Sequence, residues 1–433
     1  MRRPRSMQFP AWGRSALARA MIARARRTSL KRVALVALAC YTALQMGTIA
    51  VLSALALQRN KRLTTARFPH LSLPEVFVED NQLKIFSDGA NLFDAMLDAI
   101  ASAQEHIFIE SYIWKADAVG EQFKQALIEK ARQGVQVYVI FDEFGNLVVP
   151  EAFKQFPPEI HQLRFKPINR VWHILDPRRY ALDHRKILVV DGRIAFLGGF
   201  NIGKLYAEHW RDTHLRITGS KAVDLADSFC DFWNGHAPRR QRIRMQFPLR
   251  FDPTIMLRDN NALRLTFPIR DMYISAFNRA QKHILLTNAY FIPDHALLES
   301  LQDAAQRGVQ VHVLTPWTSN HILADWAARG YFQTCLQSGI HIWGYRSAMI
   351  HAKTCTVDDE WSTIGTANLD RLSAVGNYEL NAEIYSRNLA RQMRELFEHD
   401  QSNSIELTAE RWERRPWYVK LSEWMLAPLR MML

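Results

Sequence analysis

The chain predicts an α/β architecture in which one unit is used twice, each copy a mixed β-sheet flanked by helices, behind an amino-terminal helix that crosses a membrane. Three observations carry that expectation. His184-Arg185-Lys186 with Asp191 is matched by His351-Ala352-Lys353 with Asp358, and Asn201 and Asn368 each follow their histidine by 17 residues. The flanking segments repeat as well: Ala103-Gln104-Glu105-His106-Ile107 has its counterpart in Ala280-Gln281-Lys282-His283-Ile284, and Arg132-Gln133-Gly134-Val135-Gln136-Val137 in Gln306-Arg307-Gly308-Val309-Gln310-Val311. Finally, Val33 to Leu57 contains no charged residue.

Residues 1–32 form a basic tail with ten Lys and Arg and no acid. Residues 33–57 exceed the roughly 20 apolar residues that span a bilayer as a helix. Ala54-Leu55-Ala56 has the small residues of a signal-peptide cleavage site, but the apolar core of a signal is usually about 7–15 residues, so an uncleaved, single-pass anchor is the reading. Basic residues flank it on both sides, and the larger number before it favours a cytoplasmic amino terminus, with the body on the far side of the membrane; an organellar targeting segment is the less favoured reading. Residues 58–72 are a linker. The first unit, 73–245, opens with a helical run from Leu92 to Ala103 and an apolar strand from His106 to Tyr112; a second helix passes through Gly134 into a second strand. Lys186 to Val190 reads as a strand ending in an Asp191-Gly192 turn, and its period of two places His184 and Lys186 on one face. The second unit, 246–405, repeats the order with a helix from Asp271 to Ala280, a strand from His283 to Ala289 and a turn at Gly308. In the last segment, 406–433, Trp417, Leu421, Trp424 and Met425 make a helical stripe between Pro416 and Pro428, suited either to core packing or to the interface of a bilayer.

Beyond Pro74 there are 41 basic and 43 acidic residues. The high net charge therefore belongs to the amino-terminal segment, and no clustered basic face for nucleic acid is expected in the body. Arg239, Arg240, Arg242 and Arg244 are a local exception where the units join, read as a solvated linker in preference to a lipid-headgroup contact. The four cysteines, Cys40, Cys230, Cys335 and Cys355, show no metal-ligand spacing, so neither a metal, a cofactor nor a disulfide is expected. Cys355 is assigned to packing, since Leu188 holds the matching place in the first unit.

The repeated H-x-K-x-x-x-x-D pattern, continued by Gly198-Gly199-Phe200-Asn201 and by Gly365-Thr366-Ala367-Asn368, resembles the signature of the phospholipase D superfamily. Trp210-Arg211-Asp212-Thr213-His214 and Asn377-Tyr378-Glu379 extend the resemblance to the bacterial cardiolipin synthases within it, over nearly everything after about residue 72. The resemblance implies two phospholipase D-like halves whose sheets face each other across one site. It also implies a phosphatidyl group moved between membrane phospholipids, phosphatidylglycerol or phosphatidylethanolamine, through a phosphohistidine, in a bacterial inner membrane. Phosphodiester transfer needs in-line attack, neutralised non-bridging oxygens and a protonated leaving group. Lys186 and Lys353 supply cations for the phosphate and Asn201 and Asn368 neutral donors. Family precedent makes His184 the nucleophile and His351 the general acid and base. Asp191 and Asp358 belong to the catalytic signature, but the resemblance assigns them structural hydrogen bonds. Asp212 and Glu379, each 28 residues after a histidine, are read as the groups that orient the imidazoles, with pairing to Arg211 as the plain alternative and Glu383 as a substitute for Glu379. Thr366, Ala289 and Asn320 depart from the family pattern, where Ser, Pro and Asp are usual. Hydrolysis to phosphatidic acid is the rival outcome of the same machinery. A nucleic-acid phosphodiesterase and a non-catalytic membrane scaffold are less favoured.

Overall fold

The structure, a computed structural model, describes residues 31–57 apart from 34, 37, 52 and 56, then 67–168, 176, 180–245 and 252–426. Most of the basic tail, much of the linker and the chain beyond 426 lie outside the described residues. Among the described residues, one helix, α1 (Lys31–Leu55), is long and apolar enough to cross a membrane. It belongs to a unit ending at Leu55, separate from the unit formed by Ala56–Leu433. Val33, Leu35, Leu38, Met46 and Val51 are all exposed, as suits a helix whose apolar side chains are solvated by lipid and not by protein.

The first half of the body runs β1 (Val76–Val78), β2 (Asn81–Phe86), α2 (Gly89–Ser102), β3 (His106–Ser111), α3 (Ala118–Arg132), β4 (Gln136–Asp142), β5 (Ile160–Phe165), β6 (Lys186–Val190), β7 (Ile194–Gly198), α4 (Lys204–His209), β8 (Trp210–Arg211), β9 (His214–Thr218) and α5 (Ala222–His236). The second runs β10 (Ile255–Asn260), α6 (Pro268–Arg279), β11 (His283–Asn288), α7 (His295–Gln306), β12 (Gln310–Pro316), α8 (Ile322–Gln337), β13 (His341–Tyr345), β14 (Met349–Ile350), β15 (Lys353–Val357), β16 (Trp361–Gly365), α9 (Arg371–Val375), β17 (Glu379–Tyr385), α10 (Arg387–Ser402) and β18 (Ser404–Leu407), followed by α11 (Ala409–Glu413) and α12 (Trp417–Leu426). The final strand carries the second sheet past residue 405.

Each half holds an eight-stranded mixed sheet, ordered β1-β2-β9-β7-β6-β3-β4-β5 and β10-β17-β16-β15-β11-β12-β13-β18. In both, the strand after the first long helix pairs in parallel with the next (β3 with β4, β11 with β12) and antiparallel with the strand that opens on the signature lysine (β6, β15). Of these, β3, β6 and β15 are buried along their whole length and β11 in all but its first residue, which their near-continuous apolar runs require. Helix starts are set by side-chain caps: Asp88 accepts from Asn91 N at 3.0 Å, so α2 begins before the Leu92 expected from periodicity, and Asp117 and Asp294 cap α3 and α7 in the same way. One core joins Leu197, Leu215 and Ile217 of the first sheet to Ile364, Leu380 and Ala382 of the second, so the sheets pack face to face.

Arg239, Arg240, Arg242 and Arg244 are exposed where the halves join. Cys355 is fully buried in the second half's core. Of the carboxyl-terminal stripe, Trp417 and Leu421 are exposed and not part of the core; the side chains of Trp424 and Met425 lie outside the described residues.

Candidate active site

Two short parallel ladders bring the halves together. In one, β14 pairs with β8, Met349 with Trp210 and Ile350 with Arg211, and His351 N donates to Arg211 O at 2.7 Å. In the other, Asp183 bridges to Tyr378, with His184 N donating to Tyr378 O at 3.1 Å and Tyr378 N to Leu182 O at 2.9 Å. The chain thus enters each signature histidine alongside the segment that leads to the other half's carboxylate.

The imidazoles consequently pair across the halves. His184 Nδ1 lies 3.0 Å from both oxygens of Glu379, and His351 Nδ1 lies 2.7 Å from Asp212 Oδ2. Sequence spacing relates Asp212 to His184 and Glu379 to His351; in the fold each serves the opposite histidine. Nδ1 is occupied in both rings, which leaves Nε2 as the nitrogen available to a substrate. Both histidines line one cavity of about 310 Å³, together with Asn201 and Asn368. Tyr112 meets His184 edge-on with centroids 4.9 Å apart, and Trp210 lies 5.1 Å from His351.

Lys186 and Lys353 are buried beneath the histidines. Lys186 Nζ donates to His184 O at 2.5 Å and Lys353 Nζ to His351 O. Burial lowers the Lys186 ammonium to about 8 and that of Lys353 to about 7, against the pull of Glu379 and Asp212. Burial, reinforced by the nearby lysine charges, also lowers both imidazoles, His351 to about 3. The carboxylates diverge. Burial pushes Glu379 up to about 8, although Lys186 and the Thr366 hydroxyl, which donates to Glu379 Oε2 at 2.6 Å, oppose it. Burial also acts to raise Asp212, but the charges of His351 and Lys353, with hydrogen bonds from His351 and Thr213 N, outweigh it and hold the group below the ordinary carboxylate value.

Asp191 and Asp358, counted with the catalytic signature, do not line the cavity. Asp191 accepts the backbone N–H groups of Gln104, Glu105 and His106, and Asp358 those of Gln281, Lys282 and His283, all within 2.9 Å. Each carboxylate ties the hairpin after the signature strand to the start of the neighbouring central strand. Their φ angles of 51° and 55° are left-handed, a conformation short polar side chains tolerate by bonding locally.

Asn201 Oδ1 accepts from Ile113 N at 3.1 Å, which turns its amide nitrogen away from the backbone. Arg211, the alternative partner for Asp212, pairs its guanidinium with Asp400 at 2.9 and 2.6 Å and reaches the backbone carbonyl of Asp212, not its carboxylate. Glu383 bonds Arg258 and Trp361 and does not line the cavity. Tyr112, Tyr206 and Tyr290 also line it, and sequence reasoning did not single them out; the first ends the predicted strand His106 to Tyr112, the one signal available. Asn320, noted as a departure, hydrogen-bonds Tyr290 Oη at 2.8 Å. Among the described residues, no three His, Cys, Asp or Glu side chains are grouped to hold a metal ion.

Residues 96–233 and 273–401 match the family described as "Cardiolipin synthase, PLD-like domain". The chain is 35% identical over 360 residues to cardiolipin synthase 1 of Staphylococcus aureus, covering 80% of this chain and 72% of that protein. It is 32% identical over 374 residues to the major cardiolipin synthase ClsA of Bacillus subtilis, covering 80% and 74%. The fold is similar to that of a crystallised phosphatidylserine synthase from Haemophilus influenzae, with a TM-score of 0.60 at 16% identity over 87% of this chain and 97% of that one.

Proposed function

The chain belongs to the phospholipase D-like family of cardiolipin synthases, and from that premise we propose a phosphatidyltransferase that joins two phosphatidylglycerol molecules into cardiolipin and glycerol through a phosphohistidine. The observation that carries the reading is the pair of crossed histidine–carboxylate contacts in one cavity, with Nε2 of both rings left for substrate.

His184 Nε2 attacks phosphorus, forming an N–P bond as the bond to the glycerol oxygen breaks; His351, as imidazolium, gives that oxygen its proton and glycerol leaves. The glycerol hydroxyl of a second phosphatidylglycerol then loses its proton to the neutral His351 and attacks phosphorus, releasing His184. The unequal carboxylates support this order. Burial lowers both imidazoles; at His351 ionised Asp212 opposes that lowering and favours the proton, while Glu379, raised to about 8, gives His184 less such support and leaves it uncharged and able to attack. Lys186, Lys353, Asn201 and Asn368 provide charge and donors for the non-bridging oxygens. Asp191 and Asp358 act structurally. The protein is membrane-associated, and α1 is read as a single pass through a bacterial inner membrane; the near-neutral body disfavours nucleic acid as substrate.

The test is product analysis in detergent-dispersed phosphatidylglycerol with excess chelator. Cardiolipin and glycerol in equal amounts are expected, with added glycerol driving the reaction backwards. Phosphatidic acid as the sole product would replace the transferase with a phospholipase D, and restoration of activity only by a divalent ion would refute the metal-free scheme.

A further inference from the structure

A second cavity, of about 430 Å³, lies between α8, the β12–β13–β18 side of the second sheet and the carboxyl-terminal helices α11 and α12. Its walls are largely apolar, with Ala328, Phe332, Ile342, Leu407, Trp412 and Val419 among them. Ala324, on the first turn of α8, lines this cavity and also the one that holds the histidines. The neighbours Ala289 and Tyr290 likewise face one cavity each. The two cavities are therefore neighbours, with Ala324 in the wall of both.

One polar group in that wall is left over. Trp412 Nε1 is buried and has no hydrogen-bond partner, although the ring itself is fixed by the Arg415 guanidinium 4.2 Å from its centroid. A buried indole N–H normally finds an acceptor, and an acyl-ester carbonyl is one. The roof adds a third observation. On α12, Val419 lines the cavity while Trp417 and Leu421, one turn apart, are exposed, and Glu423 fastens the helix to Arg415 at 2.9 Å. A short helix with an aromatic outer face suits the headgroup region of a bilayer.

We infer that this cavity receives one acyl chain of the phospholipid whose phosphodiester lies between His184 and His351, with Trp412 donating to its ester carbonyl. The inference rests on the lipid reading of the catalytic cavity and adds to it the place where the chain is held. Ala328→Phe fills the cavity from α8, away from the histidines; Trp412→Phe removes the donor and keeps an aromatic wall. Full-length protein is assayed on dioleoylphosphatidylglycerol in micelles and on tail-less bis(4-nitrophenyl) phosphate. Ala328→Phe is expected to raise KM for the lipid roughly ten-fold and leave the tail-less diester within about two-fold; Trp412→Phe raises the lipid KM by a smaller factor. An unchanged lipid KM in both variants overturns the inference. Phosphatidylglycerol carrying a diazirine at the chain end is then photo-crosslinked to the wild-type protein. Labels on α8 or α11 peptides are expected, and labels confined to other segments overturn the inference even if cardiolipin is made. Labels on α8 or α11 without cardiolipin formation would refute the transferase reading and leave the chain site standing.

Discussion

Two histidine–carboxylate pairs built from one repeated unit meet in a single cavity, yet they are unequal. Asp212 is held ionised beside His351, whereas Glu379 is driven towards its neutral form beside His184. The difference lies in what offsets burial: at Asp212 the charges of His351 and Lys353, with hydrogen bonds from His351 and Thr213 N, outweigh it, whereas at Glu379 Lys186 and the Thr366 hydroxyl do not. A Cβ at Gly199 would fall 2.1 Å from Asp212 Oδ1, so no side chain fits there, while the matching Thr366 donates its hydroxyl to Glu379. Arg185, buried between Glu110 and Asp259, is matched by the small Ala352. The repeat supplies symmetric positions, and the groups around each carboxylate differ.

Removing either histidine should give the largest effect and break the comparison most sharply. His184→Ala is expected to abolish any covalent phosphatidyl-enzyme, while His351→Ala accumulates one from a donor whose leaving group needs little protonation; both lose orders of magnitude in turnover. Acid-quench mass spectrometry distinguishes them, and the reverse pattern would exchange their roles.

The carboxylates come next. Asp212→Asn should cost about 10³–10⁴ in kcat near pH 7, because a buried imidazolium loses its counter-charge. Glu379→Gln should cost only about ten-fold, since a group raised to about 8 is already largely protonated there. Equal losses would mean that the two pairs do the same work.

The halves, their helices and their central strands were legible because apolar period and the repeated motifs agree with the fold at every level. Asp88 moved the start of α2 ahead of Leu92 by a few residues, through a cap that periodicity does not register. The crossed pairing was not legible. A spacing of 28 residues relates Asp212 to His184 along the chain, but the β8–β14 ladder and the Asp183–Tyr378 bridge deliver it to His351. Those contacts join residues far apart in sequence and involve only backbone groups, so no side-chain pattern marks them. The signature aspartates carry the opposite lesson, since a motif groups residues that lie on opposite ends of one strand.

A smaller effect is expected in pH dependence. Lys186 and Lys353, lowered to about 8 and about 7, lose charge as pH rises through that range. Their hold on an anionic diester is present below pH 7 and declines above it, so KM should rise by roughly ten-fold or less between pH 7 and pH 9. A bound diester favours the charged lysines, so kcat should be less sensitive than KM over the same range. A flat KM would show that the cations stay charged and that burial is offset by groups other than Glu379 and Asp212.

Thr366→Val should give the smallest change and refine the comparison most. The hydroxyl donates to Glu379 Oε2 and accepts from Leu380 N at 2.9 Å, so its loss takes one of two partners from the buried carboxylate oxygen and the acceptor from a buried N–H, at about 1–3 kcal/mol of stability. Glu379, deprived of a donor that favours its ionised form, moves further up. If Glu379 works as a neutral group beside His184, the alkaline limb of kcat shifts to higher pH and turnover near pH 7 falls by no more than roughly ten-fold. Thr366→Ser keeps both hydrogen bonds and serves as the control, with a wild-type profile expected. If Thr366→Val instead moved that limb to lower pH, ionised Glu379 would be the working form, and the two pairs would differ in geometry but not in charge.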